Sequence, residues 1–328
     1  MQTVVTGASG HLGANLVRAL LNRGWKVKAL VRSDTRAIEG LDVETAAGDI
    51  RDADSLYRAF SGADAVFHLA AYISVVKSDR DYVRAINIDG VRNVVNACRT
   101  ARVKRLVHTS TFHALKQYPI DEILDETRPL LDDGYYPPYN HSKAEGDRIV
   151  RQAVEEGVDA ITVIPTGMIG PYDFKPSHFG ATLLAIAQGK IPALVNAGLD
   201  WVDVRDVAEG MIDACEKAAR GERYILGGHR VHLREIAEQV ADITGKRRYR
   251  PVLPLRLAKM CAPAATAIDR IRRKRPLFTT ISMAELEGNR NISHDKAARE
   301  LGYRPRPFTE TISDTVNWFI QNGMLGPE

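Results

Sequence analysis

The stretch that most restricts how this chain can fold is TGASGHLG, with Gly7, Gly10 and Gly13 spaced three apart. A short β-rich run, Gln2 to Thr6, precedes the glycines. Leu12, Leu16 and Leu20, with Val17 and Leu21, follow at helical spacing. A strand that turns on glycine into an amphipathic helix brings free N–H groups and the positive end of a helix dipole to one point. Glycine allows both the tight turn and the close approach of backbone to a bound group, and a pyrophosphate suits that arrangement. The residues expected to meet it are Gly7, Ser9, Gly10, His11, Leu12 and Gly13.

The pattern that follows predicts an α/β fold with a doubly wound parallel sheet. Strand-like runs at Trp25–Val31, Val43–Ala47, Ala65–Ala70, Arg105–Thr109 and Ala160–Pro165 alternate with helical stretches at Asp54–Phe60, Asp81–Ala101 and Tyr139–Glu156. Such alternation implies βαβ units, because parallel neighbours need crossover connections. After Pro165 the regularity weakens: IGPYDFKPSHFG and the segment Arg248–Pro276 interrupt it. Helical patterns then dominate, at Leu233–Thr244, Asp295–Leu301 and Thr309–Asn322. We expect a dinucleotide-binding Rossmann domain over 1–165, rejoined by residues about 201–226, and a smaller, mostly helical substrate-binding cap over 166–328, interleaved with it. Thr166–Gly170 (TGMIG) imitates the first glycine turn, but Pro171 and Tyr172 follow it instead of an amphipathic helix. It reads as a loop at a strand's C-terminal end.

Composition narrows the class. Hydrophobic residues make up 45% and charged residues 26% of 328 residues, as in soluble globular proteins. No apolar run approaches the ~20 residues of a membrane span, and MQTVVTGASG carries no signal-peptide pattern. Cys98, Cys215 and Cys261 are odd in number and widely spaced, which argues against a disulfide framework and against a metal site. A cytoplasmic location is expected. Net charge is +4, with late basic runs at Lys246–Arg250 (KRRYR) and Arg270–Arg275 (RIRRKR). Without interleaved aromatics these read as solvated helix ends, not a nucleic-acid site. Pro254–Ile271, with its basic end, suits either a membrane surface or packing over the sheet.

Two features speak to the cofactor and the chemistry. About 20 residues beyond the glycines, ALVRSD places Arg32 at the end of the second strand. A guanidinium there suits a 2′-phosphate, so NADP is preferred. Asp34 could bind ribose hydroxyls and serve NAD instead. Of eleven tyrosines, only Tyr139 has a lysine four residues on, Lys143. That spacing puts both on one helical face, and a fixed ammonium favours the phenolate of a side chain whose usual pKa is ~10.

TGASGHLG, GDI at 48–50, HLAA at 68–71, TST at 109–111, YNHSK at 139–143 and WVDVRDVA at 201–208 together resemble the extended short-chain dehydrogenase/reductase family. GPYDFKPS and AARELGYRPRP resemble its dihydroflavonol 4-reductase-like branch, including the hopanoid-associated sugar-epimerase-like proteins. The resemblance implies that Tyr139 moves the proton, and that Lys143 also bonds the nicotinamide ribose. Thr111 would hold the substrate oxygen, with Ser110 the competing choice by one residue of register. It further implies that Asp49 and Ile50 flank the adenine and that Leu69, Ala70 and Ala71 pass the cofactor's middle. Thr109, Pro165, Thr166 and Met168 would complete the cofactor contacts. Asn87 matches a family asparagine but reads equally as a buried amide satisfying backbone groups.

The function this implies is NADPH-dependent reduction of a ketone or aldehyde, or the reverse oxidation of an alcohol. A nucleotide-sugar epimerase with tightly bound NAD is the alternative. Phe112-His113 stands where sugar dehydratases carry Asp-Glu, and Ala114-Leu115-Lys116 replaces the usual epimerase continuation. A non-catalytic NADPH-binding sensor is the third reading. Tyr72, Phe112, Tyr172, Phe174 and Phe179 suggest an aromatic pocket or ordinary core. A homodimer through 81–101 and 139–156 is expected. His113 and His141 are not assigned the proton transfer.

Overall fold

A computed structural model describes residues 1–74, 79–132, 137–246, 249–271, 276–289 and 291–325. Seven parallel strands form the central sheet. They are β1 (Gln2–Thr6), β2 (Lys26–Val31), β3 (Glu44–Ala47), β4 (Ala65–His68), β5 (Arg105–Thr109), β6 (Ala160–Pro165) and, from late in the chain, β10 (Arg223–Leu226). Their order is β10-β6-β5-β4-β1-β2-β3. The direction of winding reverses between β1 and β4, and ligands of open α/β sheets collect at such a switch point, beyond the strands' C-terminal ends.

The strands are apolar on both faces because helices cover both. On one side α1 (His11–Asn22) and α7 (Val204–Lys217) pack together over β1, β4 and β5. On the other lie α2 (Ala53–Phe60), α4 (Gly90–Thr100) and α5 (Pro138–Glu155). The α2 helix begins where Asp52 accepts hydrogen bonds from the Asp54 and Ser55 N–H groups. α5 starts on Pro138, whose missing N–H costs nothing at a first helical position. The helical stretch expected over 81–101 is divided: α3 (Arg80–Arg84) runs through a π-helical turn, Ala85–Asp89, into α4.

Beyond the central sheet the chain forms α6 (His178–Ala187), α8 (Leu233–Thr244), α9 (Leu255–Ile271), α10 (Thr280–Glu285) and α12 (Phe308–Gln321), which make up a helical cap, whereas α11 (Asp295–Leu301) returns to pack on α7 and β10. The cap also holds strands the sequence pattern did not announce. β7 (Gly167–Ile169) and β11 (His229–His232) flank β9 (Gly198–Asp203), and β8 (Leu194–Val195) pairs with β12 (Val252–Leu253). TGMIG is therefore mostly strand, not loop. Gly167 makes this possible, since a Cβ there would sit 2.7 Å from the Trp201 ring. Strands of two or three residues, such as β7 and β8, carry too little periodicity to be read locally.

The basic runs fare differently. Arg250 donates to the carbonyls of Ile186 and Ile191, so it serves the cap's own backbone. Residues 247–248 and 272–275 lie outside the described residues. Among the described residues, no helix is long and apolar enough to cross a membrane.

Candidate active site

The glycine turn has the geometry its sequence required. Gly7 adopts φ +74° and its missing Cβ would fall 2.8 Å from the Ala70 nitrogen. Gly13 sits against the turn, where a Cβ would be 2.2 Å from the Gly7 carbonyl oxygen. Gly10 caps α1 without any side-chain hydrogen bond, leaving the N-terminus of that helix open to an anion. Ser9 is partly accessible beside it. The His11 imidazole is directed elsewhere: its Nε2 lies 3.1 Å from the carbonyl oxygens of both Gly170 and Pro171. Asn15 donates to Pro171 as well, so the two residues lash the helix start to the end of β7. Leu12 is buried in the core. His11 and Leu12 could thus meet a phosphate only through backbone N–H groups.

At the ends of β2 and β3 the charges sort themselves. Asp34 accepts two hydrogen bonds from the Arg36 guanidinium, at 2.9 and 2.7 Å, which hold its carboxyl at about 2. Asp49 is paired with Arg51 in the same way, and its carboxyl is likewise held at about 2. Arg32 is exposed and makes a long contact of 3.5 Å with the Tyr82 hydroxyl. Asp34 is thus committed to its own turn, whereas Arg32 projects a cation over the surface. Ile50 is buried behind Asp49 and touches the spot where a Gly90 side chain would be.

Leu69 and Ala70 turn off β4, their N–H groups donating to the Thr6 hydroxyl at 3.2 and 3.3 Å, and Ala71 is exposed beyond them. Pro165 ends β6, Thr166 is buried next to it, and Met168 packs on the sheet core. The hydroxyls of Thr109 and Thr166 are buried with no hydrogen-bond partner among the described residues. An uncapped helix start, two positions with no room for a side chain and unpartnered hydroxyls along the same strand ends all fit a dinucleotide.

The reactive groups gather beyond β5. The Thr111 hydroxyl lies beside the Tyr139 phenol, close enough to oppose the rise in its pKa. Ser110 faces away: its hydroxyl donates to Asp147 at 2.8 Å, deep under α5. Of the two candidates it is therefore Thr111 that meets the phenol. Lys143 is 4% exposed and donates to the Thr109 carbonyl at 2.6 Å. Burial lowers its pKa to about 8, with the Asp147 carboxylate opposing the shift. The phenol behaves differently from the sequence expectation. Burial pushes the Tyr139 pKa up, Glu285 adds to the rise, and the Thr111 hydroxyl opposes it. The expected pull of the ammonium is absent from that balance because Lys143 is turned to a backbone carbonyl.

Several site residues escaped the sequence reading. Asp147 is 1% exposed, lies 3.3 Å from His108 Nε2 and 3.8 Å from Arg223, and accepts from Ser110. Burial would raise its carboxyl, but His108, Arg223 and Lys143 together hold it below the ordinary value. His68 stacks on His108, and burial keeps both imidazoles below their usual pKa. Asp147 could have been found, because Tyr139, Lys143 and Asp147 fall at i, i+4 and i+8 on one helical face. Glu285, from α10, could not; it approaches His113 at 3.7 Å only through the tertiary fold. Asn87 combines both of its readings. Its amide bonds both backbone groups of Tyr72, and also the Ser142 hydroxyl, which donates to the Tyr139 carbonyl. The imagined aromatic pocket is dispersed: Tyr172 and Phe174 pack on Trp318, and Phe179 on Trp201.

Comparison with known proteins agrees with this arrangement. The sequence model of the NAD dependent epimerase/dehydratase family matches residues 3–227. The chain is 37% identical to sterol demethylase protein B of Methylococcus capsulatus, over 99% of this chain and 100% of that one. It is 31% identical to a dihydroflavonol 4-reductase-like protein of Synechocystis sp., over 98% and 95% of the two chains. The crystal structure of gox2253 superposes with a TM-score of 0.86 at 34% identity, covering 99% of each chain. With its glycine turn, parallel sheet and Tyr-Lys helix, the chain belongs to the NAD-dependent epimerase/dehydratase family and is an NAD(P)-dependent enzyme of the extended short-chain dehydrogenase/reductase type.

Proposed function

We propose that this enzyme reduces a ketone or aldehyde with NADPH, Tyr139 acting as the general acid. The observation that carries the reading is the half-buried Tyr139 phenol, set beside Thr111 one helical turn from the buried Lys143, with its pKa raised. A phenol whose pKa is raised keeps its proton at neutral pH, and reduction of a carbonyl requires a donor at the developing alkoxide. Thr111 holds the substrate oxygen at that phenol. Lys143 supplies a buried cation for the ribose, its charge sustained by Asp147. When bound, the nicotinamide supplies the hydride. Asn87 and Ser142 fix the first turn of α5, so the phenol is positioned before substrate arrives. The cofactor preference rests on Arg32, exposed at the end of β2 while Arg36 occupies Asp34.

Purified protein should be mixed with NADPH or NADH and a panel of aldehydes, ketones, sterol ketones and nucleotide sugars. The similarity to sterol demethylase protein B is the reason sterol ketones join the panel. Loss of reduced-nicotinamide absorbance with a carbonyl compound supports the proposal. Sugar turnover without net cofactor change would overturn it in favour of an epimerase.

A further inference from the structure

The helix α9 is amphipathic, yet several of its larger apolar side chains face outward. It packs into the cap through Ala258 and Ala262, buried at 8% and 1% exposure, and through the Thr266 hydroxyl, which donates to the Phe278 carbonyl. On the opposite face Leu257, Met260 and Ile271 are 44%, 78% and 83% exposed, and Cys261 and Ala264 are exposed between them. These positions (257, 260, 261, 264 and 271) fall on one stripe of the helix. Tyr249 and Val252, just before it, are also exposed, Tyr249 at 95%.

Charge says what could cover this stripe. Residues 246–275 contain eleven Lys or Arg against a single acidic residue, Asp269. That segment carries ten net positive charges in a chain whose total is +4, so the remaining residues are net negative by six. Arg256, exposed, borders the stripe directly. Apolar side chains outward, the exposed Arg256 beside them and a sequence segment far more basic than the rest of the chain together suit a helix that lies in an anionic interface.

We propose that α9 docks the enzyme, peripherally and reversibly, on the surface of a bilayer containing anionic lipid. The docked face lies near the chemistry. α10 packs on α9, Lys259 pairs with Glu287 just past α10, and Glu285 of the same helix acts on Tyr139. One short helix thus separates the lipid surface from the reactive phenol, a layout that gives a membrane-dissolved substrate a short route inward.

The test is co-sedimentation of the full-length protein with phosphatidylcholine vesicles containing 0% or about 30% phosphatidylglycerol. We expect binding at least ~10-fold tighter to the anionic vesicles, weakened by raised salt. Met260→Glu combined with Leu257→Glu should reduce that binding by about tenfold or more. Reduction of a water-soluble carbonyl by the double variant should be unchanged. Tyr139→Phe should bind vesicles like the wild type, which separates failure of this proposal from failure of the catalytic reading. No sedimentation with anionic vesicles, or equal binding to neutral ones, overturns it. So does self-association through this face that the double variant abolishes without any vesicle binding, or RNA binding tighter than vesicle binding and indifferent to the substitutions.

Discussion

Two helices of nearly equal length, the 18-residue α5 and the 17-residue α9, break the ordinary partition of residues in opposite senses. α5 buries Lys143 and Asp147; α9 exposes Leu257, Met260 and Ile271. A buried charge and an exposed large apolar side chain are both costly arrangements. In α5 the cost is offset inside the molecule, by the Thr109 carbonyl, Ser110, His108 and Arg223. In α9 nothing within the described chain covers the stripe, and the proposed cover is the lipid surface. The pair teaches that one kind of violation marks chemistry and the other marks contact.

The largest expected effect lies on α5. Tyr139→Phe should lower kcat by about 10²–10⁴-fold, since the proton donor is lost. NADPH affinity, read by nicotinamide fluorescence, should stay within about twofold. Undiminished turnover would remove chemistry from α5 and leave the comparison with one member.

Asp147→Asn comes next. It leaves Lys143 and Arg223 without their buried anion, at a cost of about 3 kcal/mol in urea unfolding. It also has a pH consequence with a definite sign. Lys143 titrates near 8, so NADPH affinity should fall as pH rises through about 8 and the cation is lost. Asp147 raises that pKa, so in the variant the alkaline limb should move to lower pH. An unmoved limb would mean that Asp147 is only structural.

Arg32→Ala should weaken NADPH binding about 10- to 100-fold and NADH binding hardly at all, as befits loss of one charge-assisted phosphate contact. Equal loss for both cofactors would return the preference to Asp34.

The smallest effects test the partition itself. Val150 on α5 is 1% exposed, and Val150→Ala should cost roughly 1–3 kcal/mol. Met260→Ser on α9 should change stability by less than about 0.5 kcal/mol, because that side chain is already in water. A large destabilisation from Met260→Ser would show that α9 packs on its apolar stripe after all.

Much of this was legible before any coordinates. The glycine spacing marked the turn, because a Cβ on Gly7 would fall 2.8 Å from the Ala70 nitrogen and one on Gly13 2.2 Å from the Gly7 oxygen. The six early strands and the long helices followed from hydrophobic period, with boundaries shifted by a residue or two, as at Lys26 and His68. The i, i+4 spacing of Tyr139 and Lys143 was plain in the sequence. What failed was local in pattern and distant in space. The strand at Gly167–Ile169 exists because Trp201, more than thirty residues on, lies over it. The direction of the Tyr139 shift depends on burial and on Glu285, 146 positions away.

Taken alone, the amino-acid order determined the parallel sheet, the phosphate turn and the Tyr-Lys face, because each depends on contacts within a few residues or on a repeating period. Tertiary structure decided which hydroxyl lies on the phenol's side, which acidic residue reaches that phenol from α10, and which side of α9 faces out. Those choices depend on where separate segments are brought together, and no local spacing encodes that.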